Sequence, residues 1–301
     1  MNWPKNLKTG IFKEVKAEFK TQEPLKKYTT FKIGGPAEFF IEPADTNDLK
    51  LLILSAKRYN IPILVLGSGS NTLVSDKGVR ALVLKLNSPY FRSVTKKGNY
   101  LKVGSGLILR DLILKARDYG LSGLEFLTGI PATVGGALVM NAGAWGKNIG
   151  SVVKEVTVMD YQGKTRILSK KKIKFGYRKS SLTKYIVLNS TLRLARKNRK
   201  TIQEKMNKIL KNRISTQDNT SPNAGCIFKN PPCESAGRLI DSCGLKGKRI
   251  GDACVSCRHA NFILNRGRAS ASDVLKLMHL IQKKVKDKFR VTLEPEIKIW
   301  Q

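Results

Sequence analysis

The chain has 301 residues, of which 41% are hydrophobic and 56 are Lys or Arg against 22 Asp or Glu, a net charge of +34. That length exceeds the usual reach of one hydrophobic core, so two or three packed units are expected, and no apolar stretch approaches the roughly 20 residues that cross a bilayer. Lysines are scattered, with modest clusters at 170–174, 196–200 and 283–288, and aromatics are a sparse 7%. Such a distribution reads as a solvated basic surface, so nucleic acid is not expected as a partner; a polyanionic substrate or cofactor is the alternative explanation of the charge.

Residues 1–20 alternate lysine with apolar side chains in place of a signal-peptide core, which fits a cytoplasmic protein. Five cysteines, an odd number, fit reduced thiols better than a disulfide framework. Cys254-Val255-Ser256-Cys257 has C-x-x-C spacing, but no second pair completes a zinc site, and Cys226, Cys233 and Cys243 are irregularly placed. No metal is expected.

In chain order, Thr46-Asn47-Asp48-Leu49 followed by Leu52, Ile53 and Ala56 predicts a capped amphipathic helix, and 61–66 a buried strand. Residues 81–86 and 100–103 read as further strands. A helix over 108–119 should stop at Gly120. Alternation in 152–160 and 185–194 predicts strands, with a hairpin-like turn at Gln162-Gly163. Residues 196–215 hold eight Lys or Arg against one acid, with Ile202, Met206, Ile209, Leu210 and Ile214 along one face, a basic amphipathic helix suited to bridging domains. After a polar loop at 216–223, the one strong helix of the C-terminal part is capped by Ser272 and lined by Val274, Leu277, Met278, Ile281 and Val285. We divide the chain into an N-terminal extension at 1–24 and domains at 25–196 and 197–301.

Two uncharged runs stand out against this basic background. Residues 129–144 contain four glycines and four alanines and no charged side chain; Gly67-Ser68-Gly69-Ser70-Asn71-Thr72 lies about sixty residues upstream. Bare main chain of this kind suits a large anionic or planar ligand, and two such runs suggest one extended cofactor. Neither is a G-x-G-x-x-G or a Walker loop. Taken singly, the first could be a close-packed helix contact and the second a strand-exit turn. Cys226, with small residues before it and Lys229 and Asn230 after it, suits an accessible thiol near an anion, although buried cysteine is the commoner case. Arg178, Glu296 and His259 are ambiguous by themselves.

Order makes the pieces specific. Thr30-Phe31-Lys32-Ile33-Gly34-Gly35-Pro36-Ala37, the 67–71 loop, the 129–146 run, Tyr177-Arg178-Lys179-Ser180, Gly225-Cys226-Ile227-Phe228-Lys229-Asn230-Pro231, His259-Ala260-Asn261-Phe262 and Leu293-Glu294-Pro295-Glu296 together resemble the UDP-N-acetylenolpyruvoylglucosamine reductase family, flavoenzymes of peptidoglycan precursor synthesis. The resemblance spans about 25–299 and fits the shorter branch, which lacks an additional tyrosine-bearing loop.

The resemblance implies an α+β fold: a vanillyl-alcohol-oxidase or PCMH-type FAD-binding domain in two lobes, then a C-terminal α+β substrate-binding domain. It implies FAD and NADPH as cofactors, a nucleotide-sugar substrate, no membrane span and a monomer. Gly67, Ser68, Gly69, Ser70, Asn71, Gly129, Thr133, Gly135, Gly136, Asn141 and Gly143 would hold FAD. Arg178 would neutralise the charge that builds on the substrate carboxylate after hydride transfer, with Glu296, protonated or sharing a proton, bonded to the same group. Arg213, Lys229, Asn230, His259 and Asn261 would bind substrate.

Cys226 stands where most relatives carry serine and would donate the proton. With an ordinary pKa of about 8.5, a cysteine is a far stronger acid than an alcohol yet mostly protonated at neutral pH. Ala132 replaces a usual glycine and would crowd the cofactor if its φ were positive. Ser68 replaces a second loop glycine, and Asp218 a proline. Two other functions compete: another FAD-linked oxidoreductase of the same fold, and a basic nucleic-acid-binding protein with a degenerate flavin fold.

Overall fold

A computed structural model describes residues 15–301 apart from position 233, so much of the N-terminal extension and Cys233 lie outside the described residues. The chain forms two compact units that are not contiguous in sequence. One takes the chain up to Gln22, Glu38–Gly67 and Arg80–Leu210; the other takes Glu23–Ala37, Ser68–Val79 and Lys211–Gln301. Both mix helices with mainly antiparallel strands, the α+β class expected.

In the first unit a four-stranded sheet runs in the order β1 (Glu18–Pro24), β2 (Pro36–Glu42), β5 (Val79–Leu84), β3 (Ile63–Val65). Helix α1 (Thr46–Arg58) begins because Asp45 accepts hydrogen bonds from the Asn47 and Asp48 amides at 2.7 and 3.0 Å. Its apolar face, Leu49, Leu52, Ile53 and Ala56, packs with Phe39, Ile41, Leu82 and Leu84. Strand β3 departs from the expectation of a buried strand, since Val65 is 38% exposed. Among the described residues it is an edge strand, paired with β5 alone, so one flank lacks a strand neighbour there.

A second sheet is antiparallel throughout, in the order β9 (Thr165–Ser169), β8 (Val153–Met159), β12 (Ile186–Arg193), β7 (Tyr100–Gly104), β6 (Val94–Lys97). Helix α2 (Leu109–Asp118) ends before Gly120, whose φ of +65° suits glycine. With the short helix α3 (Val134–Val139), it shares a core built on Leu101, Val103, Val156 and Leu192. Helix α4 (Arg199–Thr216) buries only Ile202 and Met206; Leu210 and Ile214 are 42% and 59% exposed, so the predicted apolar face is used in its first half alone.

The second unit carries a sheet ordered β13 (Asn223–Cys226), β16 (Phe262–Asn265), β15 (Ala253–Val255), β14 (Arg249–Ile250), with helices α5 (Ala236–Ser242) and α6 (Ala271–Phe289). The cap of α6 is Ser270, not Ser272. Ser270 and Asp273 form a reciprocal capping box, and the Ser272 amide is taken instead by Asp76 at 3.0 Å. Asp76 also accepts from the Ala271 amide at 2.7 Å, which pins the 68–79 segment to the start of α6. Strand β4 (Thr72–Val74) lies in that segment and pairs in parallel with β17 (Lys298–Trp300), while Phe31, Ile33 and Leu73 join the core under Val274, Leu277 and Ile281.

Candidate active site

The loop leaving β3 has the geometry of an anion cradle. Among the described residues, nothing accepts a hydrogen bond from the amides of Gly67, Ser68, Gly69, Ser70 or Asn71. A row of uncommitted N–H groups requires a partner from outside the chain, and a diphosphate supplies one. Side chains are excluded at two points: a Cβ on Gly67 would lie 2.7 Å from Thr133 Oγ1, and one on Gly69, at φ +62°, would lie 2.1 Å from the Tyr28 carbonyl oxygen.

The 129–144 run behaves differently from the open main chain expected. The Gly135 amide donates to the Ser105 carbonyl at 2.8 Å, Gly136 to the Thr133 hydroxyl at 3.2 Å, and Val134 to the Leu107 carbonyl at 2.8 Å. Small side chains serve close packing here, since a Cβ on Gly135 would meet Ser105 Cβ at 3.0 Å. Gly129 is exposed at φ +81°. Asn141, at φ +44°, donates to the Gly176 carbonyl at 2.9 Å and accepts from the Gly150 amide at 3.1 Å. Ala132 lies outside the positive-φ region, so its methyl imposes no backbone strain. Sequence reasoning passed over Ser105 and Thr128, whose buried hydroxyls have no partner among the described residues; the small-residue triplet Gly104-Ser105-Gly106 was the available signal.

This scaffold holds Arg178. The residue sits in the two-residue turn between β10 (Phe175–Gly176) and β11 (Lys179–Ser180), at φ +54°, a conformation that costs a non-glycine residue about 1 kcal/mol or more. Three contacts hold it there. Ser180 Oγ donates to the Val139 carbonyl at 2.8 Å, Asn141 grips Gly176, and Arg178 Nη1 donates to the Gly143 carbonyl at 2.9 Å. The guanidinium also lies over the Tyr177 ring, 5.4 Å from its centroid.

In the second unit, backbone pairing brings three predicted residues onto one strip of chain. The Glu296 amide donates to the Ile227 carbonyl at 2.7 Å, next to Cys226. Asn71 Nδ2 donates to the Glu296 carbonyl at 3.2 Å, and the Lys298 amide to the Asn71 carbonyl at 2.8 Å. Cys226 is half-buried and faces Phe262 in register, and the pairing slips between Asn223 and Cys226, a bulge centred on Gly225 at φ +72°. Asn261, 2% exposed, spends both polar ends on Phe228, accepting from its amide at 2.9 Å and donating to its carbonyl at 2.8 Å. It thereby clamps the segment after Cys226.

The remaining predicted substrate residues lie in the same unit. Lys229 Nζ pairs with Glu294 at 2.5 Å, and Asn230 Oδ1 accepts from the Ala236 amide at 3.0 Å, at the start of α5. Arg213 is half-buried on α4. His259 packs its ring against Phe262, and its Nδ1 is buried with no partner among the described residues. Burial holds its imidazole below the ordinary histidine range, and Lys246 adds to that. Among the described residues no group of His, Cys, Asp and Glu is arranged to hold a metal.

A family profile for the UDP-N-acetylenolpyruvoylglucosamine reductase C-terminal domain matches residues 216–300, and one for an FAD binding domain matches 37–169. UDP-N-acetylenolpyruvoylglucosamine reductase 2 of Symbiobacterium thermophilum is 46% identical over 280 residues, 92% of this chain and 91% of the relative. The chain belongs to this reductase family. The Moorella thermoacetica reductase is 42% identical over 98% of the chain and 96% of its own length. The crystal structure of the Thermus caldophilus reductase superposes with a TM-score of 0.82 at 39% identity, covering 95% of this chain and all of that one. A solvent-stable cholesterol oxidase, at 13% identity and a TM-score of 0.50 over 62% of the chain, shares the fold alone. For a member of the reductase family, the five uncommitted amides at 67–71 fit the diphosphate of FAD, while Gly67 and Gly69 let the loop pack closely against Thr133 and the Tyr28 carbonyl.

Proposed function

We infer that this reductase converts the enolpyruvyl ether UDP-N-acetyl-3-O-(1-carboxyvinyl)-glucosamine to UDP-N-acetylmuramate, a UDP-N-acetylmuramate dehydrogenase activity in peptidoglycan precursor synthesis. Its cofactors are FAD and NADPH. The observation that carries this reading is the 46% identity to a named reductase over 92% of the chain. Gly67, Ser68, Gly69, Ser70 and Asn71 hold the FAD diphosphate through their amides, and Gly129, Thr133, Gly135, Gly136, Asn141 and Gly143 shape the wall for its ring system. Held there, FAD would supply the hydride chemistry of the reaction, with NADPH as the source of reducing equivalents.

The chain's own residues manage the charge and the proton that accompany this reduction. Electron density passes from the double bond toward the substrate carboxylate, where Arg178 offers a guanidinium fork and Glu296 a hydrogen bond. Cys226 gives its thiol proton to the ether-bearing carbon and recovers one from solvent, so the vinylidene group gains one hydride and one proton and no atom is left over. Arg213, Lys229, Asn230 and His259 engage the nucleotide sugar, while Asn261 supports them by clamping Phe228. Among the described residues no helix is long and apolar enough to cross a membrane, and we assign the protein to the cytoplasm as a monomer. The test is NADPH consumption by the purified protein: it depends on the enolpyruvyl nucleotide and yields UDP-N-acetylmuramate, and consumption indifferent to that nucleotide overturns the assignment.

A further inference from the structure

The loop at 216–223, a polar connector by sequence, contains a buried carboxylate. Asp218 is 4% exposed. Its Oδ2 accepts from Ser256 Oγ at 2.6 Å, and its Oδ1 accepts from the Thr220 amide at 3.1 Å and the Thr220 hydroxyl at 2.6 Å. Burial pushes the carboxyl up, but the hydrogen bonds from Ser256 and Thr220 and the charge of Arg266 outweigh it, so the group titrates below the ordinary aspartate range. An aspartate held ionised in the interior needs such a full set of donors, and here it has them.

Two chains of hydrogen bonds leave this residue, and both end beside Cys226. In one, Ser256, fully buried, accepts from the amides of Arg258 and His259, each at 3.0 Å, and its own amide donates to the Phe262 carbonyl at 2.9 Å. That fixes the turn leading into Phe262, the register partner of Cys226. In the other, the Asp218 carbonyl accepts from Asn223 Nδ2 at 3.1 Å, and Asn223 Oδ1 accepts from the Gly225 amide at 2.9 Å. Gly225, at φ +72°, lies in the register shift, with open space where a side chain would stand, and the Asn223 bond is the side-chain contact made to its amide. A bulge sets the direction of the side chain that follows it.

We propose that Asp218 is a positioning residue that aims the Cys226 thiol for proton delivery. The proposal rests on Cys226 being the donor, and its test separates the two claims. In the FAD-loaded enzyme, Asp218→Asn keeps the volume but cannot accept from both Ser256 and Thr220 as the carboxylate does. The expected result is a kcat lowered about tenfold or more with KM within about twofold and the thermal midpoint within a few degrees. The Cys226 thiol, followed by mass spectrometry, should react with iodoacetamide at a clearly altered rate. Ser256→Ala should give a similar loss, with the double variant no worse than either single one, the signature of one shared path. Asn223→Ala breaks only the branch to Gly225, which leaves from the Asp218 backbone carbonyl and is intact in Asp218→Asn, so Ser256→Ala, which removes a carboxylate partner, carries the test if Asp218→Asn does not fold. Parental kcat together with a parental alkylation rate in Asp218→Asn overturns the proposal. An altered alkylation rate with parental kcat upholds the positioning and overturns the donor role of Cys226.

Discussion

Asn71 donates its side-chain amide to the Glu296 carbonyl at 3.2 Å, and the Lys298 amide returns a bond to the Asn71 carbonyl at 2.8 Å, 225 residues apart in sequence for the first pair. The last residue of the uncommitted amide row thus enters β4 locked to the segment that carries the proposed catalytic carboxyl. Asn71→Ala should weaken FAD retention and lower activity together, at a stability cost of about 1 kcal/mol. Fluorescence titration of apoprotein with FAD and a thermal melt check this; weakened FAD binding with parental turnover at saturating FAD would uncouple the two.

Replacement at Cys226 distinguishes a proton donor from a packing residue. Cys226→Ser should keep partial activity, since a hydroxyl still carries a proton, while Cys226→Ala should lose about 10²- to 10⁴-fold in turnover. Steady-state product formation by both variants decides it. Comparable turnover for Cys226→Ala and the parent removes the residue from the mechanism.

Arg178 combines a left-handed backbone, a bond to the Gly143 carbonyl and a position over the Tyr177 ring. Arg178→Lys keeps the charge and loses the fork, so kcat should fall about 10²-fold while the thermal midpoint stays close to the parent. Both residues meet the same backbone cost at φ +54°, which is why stability is not the expected casualty.

Acid should destabilise the protein in two steps. Burial holds the His259 imidazole below its ordinary range. Glu125 titrates below the ordinary glutamate range because hydrogen bonds from Ser122 and the Gly123 amide outweigh the opposing effect of burial, and Asp218 is likewise lowered. In each case the unfolded chain binds protons first as pH falls, so stability drops with it. The His259 contribution is in place above about pH 6.5 and is lost as pH falls through its folded value; the carboxylates' contributions are in place above about pH 4 and are lost below it. His259→Gln should flatten the first step of a melting-temperature profile and leave the second. An unchanged first step would place its origin elsewhere.

The helices over 46–58, 109–118 and 271–289 were legible because their apolar spacing survives whichever partner they pack against, and so were strands β7, β8 and β12 of the five-stranded sheet, whereas its strands β6 and β9 were not expected. Long-range hydrogen bonding was not legible. That Asp76 would take the Ser272 amide, moving the cap to Ser270, depends on contacts 196 residues apart. The same holds for the 129–144 run: its lack of charge was visible, but only the structure distinguishes amides already bonded to Ser105 and Leu107 from the uncommitted ones at 67–71. Asp218 was visible as a departure from its relatives, without the Ser256 partner that gives it meaning.

The most direct measurement of the central claim is the visible spectrum of the purified protein. The account predicts a yellow flavin spectrum, present on isolation or after reconstitution with FAD, that bleaches with NADPH under anaerobic conditions and returns on adding the enolpyruvyl nucleotide. A colourless protein that FAD cannot reconstitute, or a bleached spectrum that the nucleotide leaves unchanged, would contradict it.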